Sequence, residues 1–331
     1  MNRLRFIILW LGAALLASCS TDMEPEAQPS ELQAIQLTAQ GMSAMAPTRA
    51  ASTDDLQNTA FAANEDVAVY LVDQASNETY TTTPYRFRAS AADNDGKNAL
   101  TYYSDATTAS TLYYPVTASA SINIYGFYPY SRFSSSNRNA TSLNVNVNAD
   151  QSSAANYHYS DIMMATKTNQ GRTSRAVGLT FSHLMAKLVI RLKQGVHSGT
   201  TSVVTAANLA NSTLTIGSVT TEATLNMSTG TVTTGSNPTT VTVASSTSLA
   251  FYYNNSGTAI GATEYAIVLP PQALTGKTIT ITTGAGETIS GTLPTLSLTA
   301  GSSTTLTLTV NDSGIEASRT NYGNGGSTTW E

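Results

Sequence analysis

The residue with the clearest chemical prospect is the single cysteine, Cys19. It closes the stretch Leu16-Ala17-Ser18-Cys19, behind basic Arg3 and Arg5 and an apolar run over residues 6–17. That run is too short to span a bilayer, and the order charged, apolar, small is that of an export signal. A cysteine at the cleavage position is what a lipoprotein peptidase exposes and an acyl transferase modifies, so the mature precursor is expected to begin at a lipid-carrying Cys19. Acyl chains contribute about 0.8 kcal/mol per buried methylene, so several on one residue hold a soluble domain at a membrane without a spanning helix. With Cys19 so used, no cysteine remains for a disulfide, a zinc cluster or a thiol nucleophile.

The other reactive groups point away from catalysis. His158, His183 and His197 are the only histidines, and none has a second histidine or a carboxylate pair at ligand spacing, so no metal site is expected. His183 reads as a hydrogen-bonded structural histidine, and Asp161 as an aspartate that ends a turn and holds backbone amides. Asp93-Asn94-Asp95-Gly96-Lys97 opens like a calcium loop, but Lys97 stands where an oxygen ligand is needed and no glutamate closes it, so it reads as a turn. Tyr102-Tyr103 and Tyr113-Tyr114 have the chemistry to stack on a sugar ring, although tyrosines on strands more often pack in cores or interfaces. The sparse acids offer no catalytic pair, so neither enzyme activity nor a cofactor is expected. With 16 Lys and Arg against 21 Asp and Glu, there is no basic surface for a nucleic acid.

The elements that must position these residues are strands. Residues 20–30 carry acids and prolines with almost nothing to bury and read as a tether. Ile35, Leu37 and Ala39 then alternate with Gln36, Thr38 and Gln40, the period of a strand with one dry face. A small and polar stretch over residues 41–52, with Pro47 and Arg49, follows as a loop within reach of a protease. Strand signals recur at 67–72, 112–115 and 121–128 and in the alternation of Leu143, Val145 and Val147. A second region opens near Val177 with a run over 181–192, in which Lys187 and Arg191 are expected to point outward and Leu188, Ile190 and Leu192 inward. Short strands at 213–219, 231–232, 241–244, 249–253, 265–269, 278–282 and 304–310 follow, separated by Gly, Asn, Ser and Pro. Strands at this spacing predict an all-β chain of two tandem antiparallel domains. The expected layout is a signal peptide over 1–18, a tether with its first strand over 19–49, an N-terminal β-domain over 50–175 and a C-terminal one over 176–331.

Several motifs along this layout have a family counterpart. They are the cleavage motif ending at Cys19, Thr48-Arg49-Ala50, Tyr125-Gly126-Phe127-Tyr128-Pro129-Tyr130, Tyr159-Ser160-Asp161-Ile162-Met163-Met164-Ala165, Leu179-Thr180-Phe181-Ser182-His183-Leu184-Met185-Ala186-Lys187-Leu188, and Trp330 near the C-terminus. In their order and spacing, over nearly the whole chain, the sequence resembles the fimbrillins, the lipoprotein-precursor pilins of type V pili, in their Mfa-like branch. The resemblance implies two transthyretin-like β-sandwich domains and a structural, adhesive subunit of a surface fimbrium. It implies a precursor lipid-anchored at the outer membrane and an arginine-specific cut after Arg49 that leaves Ala50 first. The displaced strand would be that of Ile35, Leu37 and Ala39, and a neighbouring subunit's C-terminal segment would replace it. The matching donor region is the tail over 312–331, with Ile315, Ala317, Tyr322 and Trp330 as its main apolar residues. Residues 323–327 are too glycine-rich for a firm strand, and the alternation Leu306, Leu308, Val310 is either the last strand of the domain or part of the donor. The implied partners are other fimbrial subunits and a host or bacterial surface ligand. The alternatives are a tip, accessory or anchor subunit, and a monomeric glycan-binding surface lipoprotein that keeps its first strand.

Overall fold

Alternating apolar and polar residues, interrupted every few positions by glycine, asparagine, serine or proline, favour short extended segments over helices. The computed structural model describes residues 32–40, 60–117, 119–195, 204–253, 259–319 and 328–329. The elements begin with β1 (Leu37–Gln40), β2 (Asp66–Asp73), β3 (Tyr85–Ala92), β4 (Lys97–Tyr103), β5 (Ser121–Tyr128) and the helical turn α1 (Tyr130–Phe133). They continue with β6 (Leu143–Asn144), α2 (Ala154–Ser160), β7 (Met163–Gly171), β8 (Val177–Thr180), β9 (Ser182–His183) and β10 (Ala186–Gln194). Next are α3 (Ala206–Ala210), β11 (Thr213–Thr220), β12 (Ala223–Asn226), β13 (Thr231–Thr234), β14 (Pro238–Thr242) and β15 (Ala244–Tyr253). The remainder is β16 (Ala259–Leu269), β17 (Thr278–Thr282), β18 (Thr288–Thr292), β19 (Ser302–Asn311), β20 (Gly314–Arg319) and β21 (Thr328–Thr329). The chain is all-β, as its patterning predicts.

Among the described residues the strands form four sheets. The first has the order β8-β1-β4-β3-β2-β5-β7-β9, drawing its two edge strands, β8 and β9, from beyond residue 175. A second runs β15-β16-β10-β19-β20, with β21 also on β19, and two smaller sheets run β14-β11-β17-β18 and β13-β12-β6. Pairing is antiparallel except for β1 with β8 and β10 with β19, which are parallel. Parallel neighbours need long crossovers, and in both pairs much of the chain lies between the partners.

Two apolar clusters hold these sheets. One face of the first sheet carries Val67, Val69, Leu71, Phe87, Leu100, Ile122, Ile124, Leu179 and Phe181. The intervening Ala68 and Tyr70, with Phe127, join the larger cluster that includes Leu188, Ile190, Ile267 and Leu308. Strand β2 is therefore buried on both faces, which is why its sequence runs apolar without a break. The same rule corrects the reading of β10. Lys187 is 0% and Arg191 6% exposed, because β10 lies between β16 and β19 with both of its faces covered. The Lys187 ammonium lies 6.0 Å from the centre of the Tyr157 ring.

Two expected strands are shorter than their sequences suggest. Residues 112–115 make only an isolated bridge, Tyr113 with Ala34, and Pro115 has no amide hydrogen to extend the ladder. Only Leu143 and Asn144 of the next alternation form a strand, while the Val145 and Val147 amides donate to the Ala223 and Thr221 carbonyls.

One glycine is required by packing. A Cβ at Gly126, in the middle of β5, would lie 2.7 Å from Cζ of Phe181. Gly126→Ala is expected to lower stability by about 1–3 kcal/mol through overpacking, read as a drop in denaturation midpoint.

Candidate functional site

The first strand occupies an interior position in its sheet. Leu37 pairs with Leu100 on the antiparallel side and Val177 on the parallel side, and Ala39 pairs with Asn98 and Leu179. The alternation places Ile35, Leu37 and Ala39 on the buried face, at 7%, 2% and 0% exposure. Burying the two large side chains contributes about 3–6 kcal/mol before any hydrogen bond is counted. The strand's approach adds two more bonds, from the Ile35 amide to the Leu112 carbonyl and from the Tyr114 amide to the Gln33 carbonyl, both 2.8–2.9 Å. Without β1, both β4 and β8 would present an unpaired edge beside an apolar trough.

The chain leaves β1 at Gln40, and its return is fixed at Phe61. Asn98 on β4 is fully buried; its Oδ1 accepts from the Phe61 amide at 3.1 Å, and its Nδ2 donates to the Phe61 and Ser90 carbonyls at 2.8 and 2.9 Å. The Phe61 ring lies 4.9 Å from that of Tyr128 and 5.1 Å from that of Phe181. Reading the sequence alone missed both residues, since an asparagine between Lys97 and Ala99 carries no signal of its own. Asn98→Ala leaves the Phe61 amide and two carbonyls without their partner, and is expected to cost about 2–4 kcal/mol by urea denaturation.

The other expected site residues are distributed as follows. Cys19, Arg49, Ala50, His197, Tyr322 and Trp330 lie outside the described residues. Leu306, Leu308 and Val310 are fully buried in β19, which is bonded to β10 on one side and to β20 and β21 on the other. Ile315, on β20, is half-buried against the larger cluster, where a Cβ at Gly291 would come within 2.7 Å of its own Cβ. The structure thus brings Ile35, Leu37 and Ala39 into one row, and Leu306, Leu308, Val310 and Ile315 into a different sheet.

The groups weighed for catalysis have structural partners. His183 Nδ1 lies 2.7 Å from Asp161 Oδ1, with both residues buried. Asp161 therefore holds a histidine side chain, where the sequence suggested backbone amides. The Tyr128 hydroxyl donates to Glu65 Oε1 at 2.7 Å, and His158 Nδ1 approaches the same oxygen at 4.0 Å. Asp93 closes the β3–β4 turn, its Oδ1 accepting from the Asp95 and Lys97 amides at 2.9 and 2.8 Å. Among the described residues no group of three His, Cys, Asp or Glu is placed to hold a metal ion, and no helix is long and apolar enough to cross a membrane. Tyr113 is exposed and Tyr114 is buried, so this pair does not continue the surface of Tyr102 and Tyr103.

Comparison with known proteins adds a family and a fold. The profile of a family described as Fimbrillin-like matches residues 48–324. A candidate cell adhesion protein from Bacteroides uniformis, of known crystal structure, is 19% identical; the superposition covers 90% of this chain and 98% of that one, with a TM-score of 0.62. A second candidate cell adhesion protein, from Bacteroides ovatus, is 15% identical over 91% of this chain and 98% of its own, with a TM-score of 0.64. No curated protein matches the sequence.

Proposed function

The chain belongs to the fimbrillin-like family, and from that premise we propose that it is a fimbrial subunit made as a lipoprotein precursor and polymerised by donor-strand exchange. In this reading Cys19 carries the lipid that holds the precursor at the outer membrane. A protease cuts after Arg49, Ala50 becomes the first residue, and the strand of Ile35, Leu37 and Ala39 departs. The assembled subunit then stands in a cell-surface fimbrium beside other fimbrial subunits and presents a surface for adhesion. Its role is structural and needs no cofactor.

The observation that carries this reading is the seating of β1. The strand is bonded on both edges and buried on one face, yet its covalent link to the rest of the fold runs through the stretch between Gln40 and Ala60, which contains Arg49. After a cut there, only non-covalent contacts retain it. The vacated trough offers backbone donors and acceptors on two sides and apolar room at every second position, which is what an incoming extended segment needs. The family match, beginning at residue 48, leaves β1 outside the matched stretch and fits a mature chain that starts near Ala50. For the donor, the interior placement of Leu306, Leu308 and Val310 favours the chain from Ile315 to Trp330, since withdrawing β19 would strip both β10 and β20 of a partner.

The test is the N-terminus of the protein sheared from intact cells, measured by mass spectrometry. A start at Ala50 is expected. Arg49→Ala is expected to leave an acylated Cys19 at the N-terminus and to abolish polymers. An acylated Cys19 as the sole N-terminus of the wild type would overturn strand exchange in this subunit and point to an anchor or a monomeric surface lipoprotein.

A further inference from the structure

The ends of β3 and β4 border an open cleft of about 360 Å3, within the volume range of small-ligand sites. Its walls carry Tyr85, Tyr102, Tyr103 and Tyr130 together with Arg86 and Asp105. Neighbouring residues on a strand point to opposite faces, so Tyr102 and Tyr103 meet in one cleft only because it wraps around the end of the β3–β4 pair. We propose that this cleft binds a carbohydrate, a mono- or disaccharide unit at the end of a surface glycan. The site lies at the far end of β4 from its pairing with β1, and Tyr85 and Tyr102 pack against the cluster that holds Ile35, Leu37 and Ala39, so binding is to be measured on the chain that retains β1.

The chemistry of the lining selects this class of ligand. A pyranose ring has C–H faces that pack on aromatic rings and a rim of hydroxyls that needs acceptors and donors. Tyrosine serves both needs, with an apolar ring and a polar tip. Much of the remaining lining is polar: the hydroxyls of Thr81, Thr83 and Ser104, the Arg86 guanidinium and the Asp105 carboxylate. A proline-rich peptide would instead require an apolar aromatic groove. A phosphorylated ligand would require uncommitted positive charge, whereas Arg86 and Arg88 both bind the carboxylate of Asp66.

The lining is also held in place before any ligand arrives. The Tyr85 and Tyr102 rings meet edge to face, with centres 5.5 Å apart and planes at 89°. The Arg88 guanidinium lies 4.6 Å from the centre of the Tyr103 ring, and that of Arg86 lies 5.3 Å from the centre of the Tyr130 ring. Also in the lining, Asp105 Oδ1 accepts from the Thr107 and Thr108 amides at 2.8 and 2.7 Å. Those amides hold the Asp105 pKa down at about 2, so an ionised acceptor faces the cleft at any physiological pH. The loop is closed by bonds from the Ser104 amide to the Thr108 carbonyl and from the Ser110 amide to the Tyr102 carbonyl, at 3.0 and 2.9 Å. Side chains ordered beforehand lose little entropy on binding, which matters for a ligand as small as a sugar.

The experiment is saturation-transfer NMR on the full chain with the methyl glycosides of glucose, galactose, mannose, fucose, N-acetylglucosamine and N-acetylneuraminic acid. Each is used at about 10 mM, which suits millimolar affinities. Transfer to at least one glycoside is expected. Asp105→Asn should weaken that binding about tenfold, as expected for the loss of a charge-assisted hydrogen bond. Its amide oxygen can still accept from Thr107 and Thr108, so the turn and the thermal midpoint should be preserved. Tyr103→Ala should abolish transfer, and if that variant does not fold, Asp105→Asn decides alone. Absence of transfer from every glycoside would overturn the proposal. So would binding that both folded variants leave unchanged, or occupation of the cleft by a hexaproline peptide in place of any sugar.

Discussion

Leu37→Asp will unseat the first strand. Leu37 is 2% exposed between Leu100 and Val177, and its replacement loses the leucine's burial and sets a carboxylate among the apolar side chains of the cluster. The first loss is about 1.5–3 kcal/mol and the second several more, a combined destabilisation of at least about 4 kcal/mol in urea denaturation. Thr38→Asp, one position along and half-buried, should cost about 1 kcal/mol or less, since its side chain points to the other face. On the proposed strand exchange, a synthetic peptide of residues 32–40 added to the Leu37→Asp variant should restore much of the lost stability by taking the place of β1. Equal effects at positions 37 and 38 would show that the dry face does not seat β1. Failure of the peptide to rescue would count against the trough as an acceptor.

Phe181→Ala is the second large effect. The ring is fully buried, meets Phe61 edge-on at 5.1 Å and lies directly over Gly126. Its removal leaves a cavity between β5 and the residue that returns the chain to the sheet, at a cost of about 3–5 kcal/mol. Combined with Gly126→Ala, the loss should be smaller than the sum of the two single losses by about 1 kcal/mol or more, because the cavity accommodates the added methyl group. Strict additivity in this cycle would show that Phe181 is not the reason position 126 is a glycine.

The strands that could be read from the sequence are those with a regular apolar pattern, either alternating or, as in β2 and β10, nearly unbroken. Residues 278–282 correspond to β17, where the buried positions fall on every second residue, and β5 does the same over residues 121–126 before both of its faces are covered at Phe127 and Tyr128. Strand β1 could be read for the same reason. Strands β3 and β4 could not, since Arg86, Arg88, Ser90 and Asn98 break the contrast between their faces. Their polar residues do specific work: two arginines share Asp66, and Asn98 is buried because it bonds to Phe61. Reading Lys187 and Arg191 as outward assumed that their strand had a wet face, which a central strand covered on both sides lacks.

The same division applies to the candidate sites. Tyr102 and Tyr103 draw attention as a pair, but their partners in the cleft are Tyr85 and Tyr130, contributed by a neighbouring strand and a helical turn. No spacing along the chain announces that encounter, and Tyr113 and Tyr114, which looked equivalent, go elsewhere.

By itself the sequence determined that this chain is built of strands and that Ile35, Leu37 and Ala39 share a face. Both follow from local chemistry, a period of two with apolar side chains on one face. Only the tertiary structure decided that β1 lies between β4 and β8. Its parallel partner begins at Val177, far along the chain, and such a pairing depends on which sheet edge the rest of the fold leaves open, which no local pattern records.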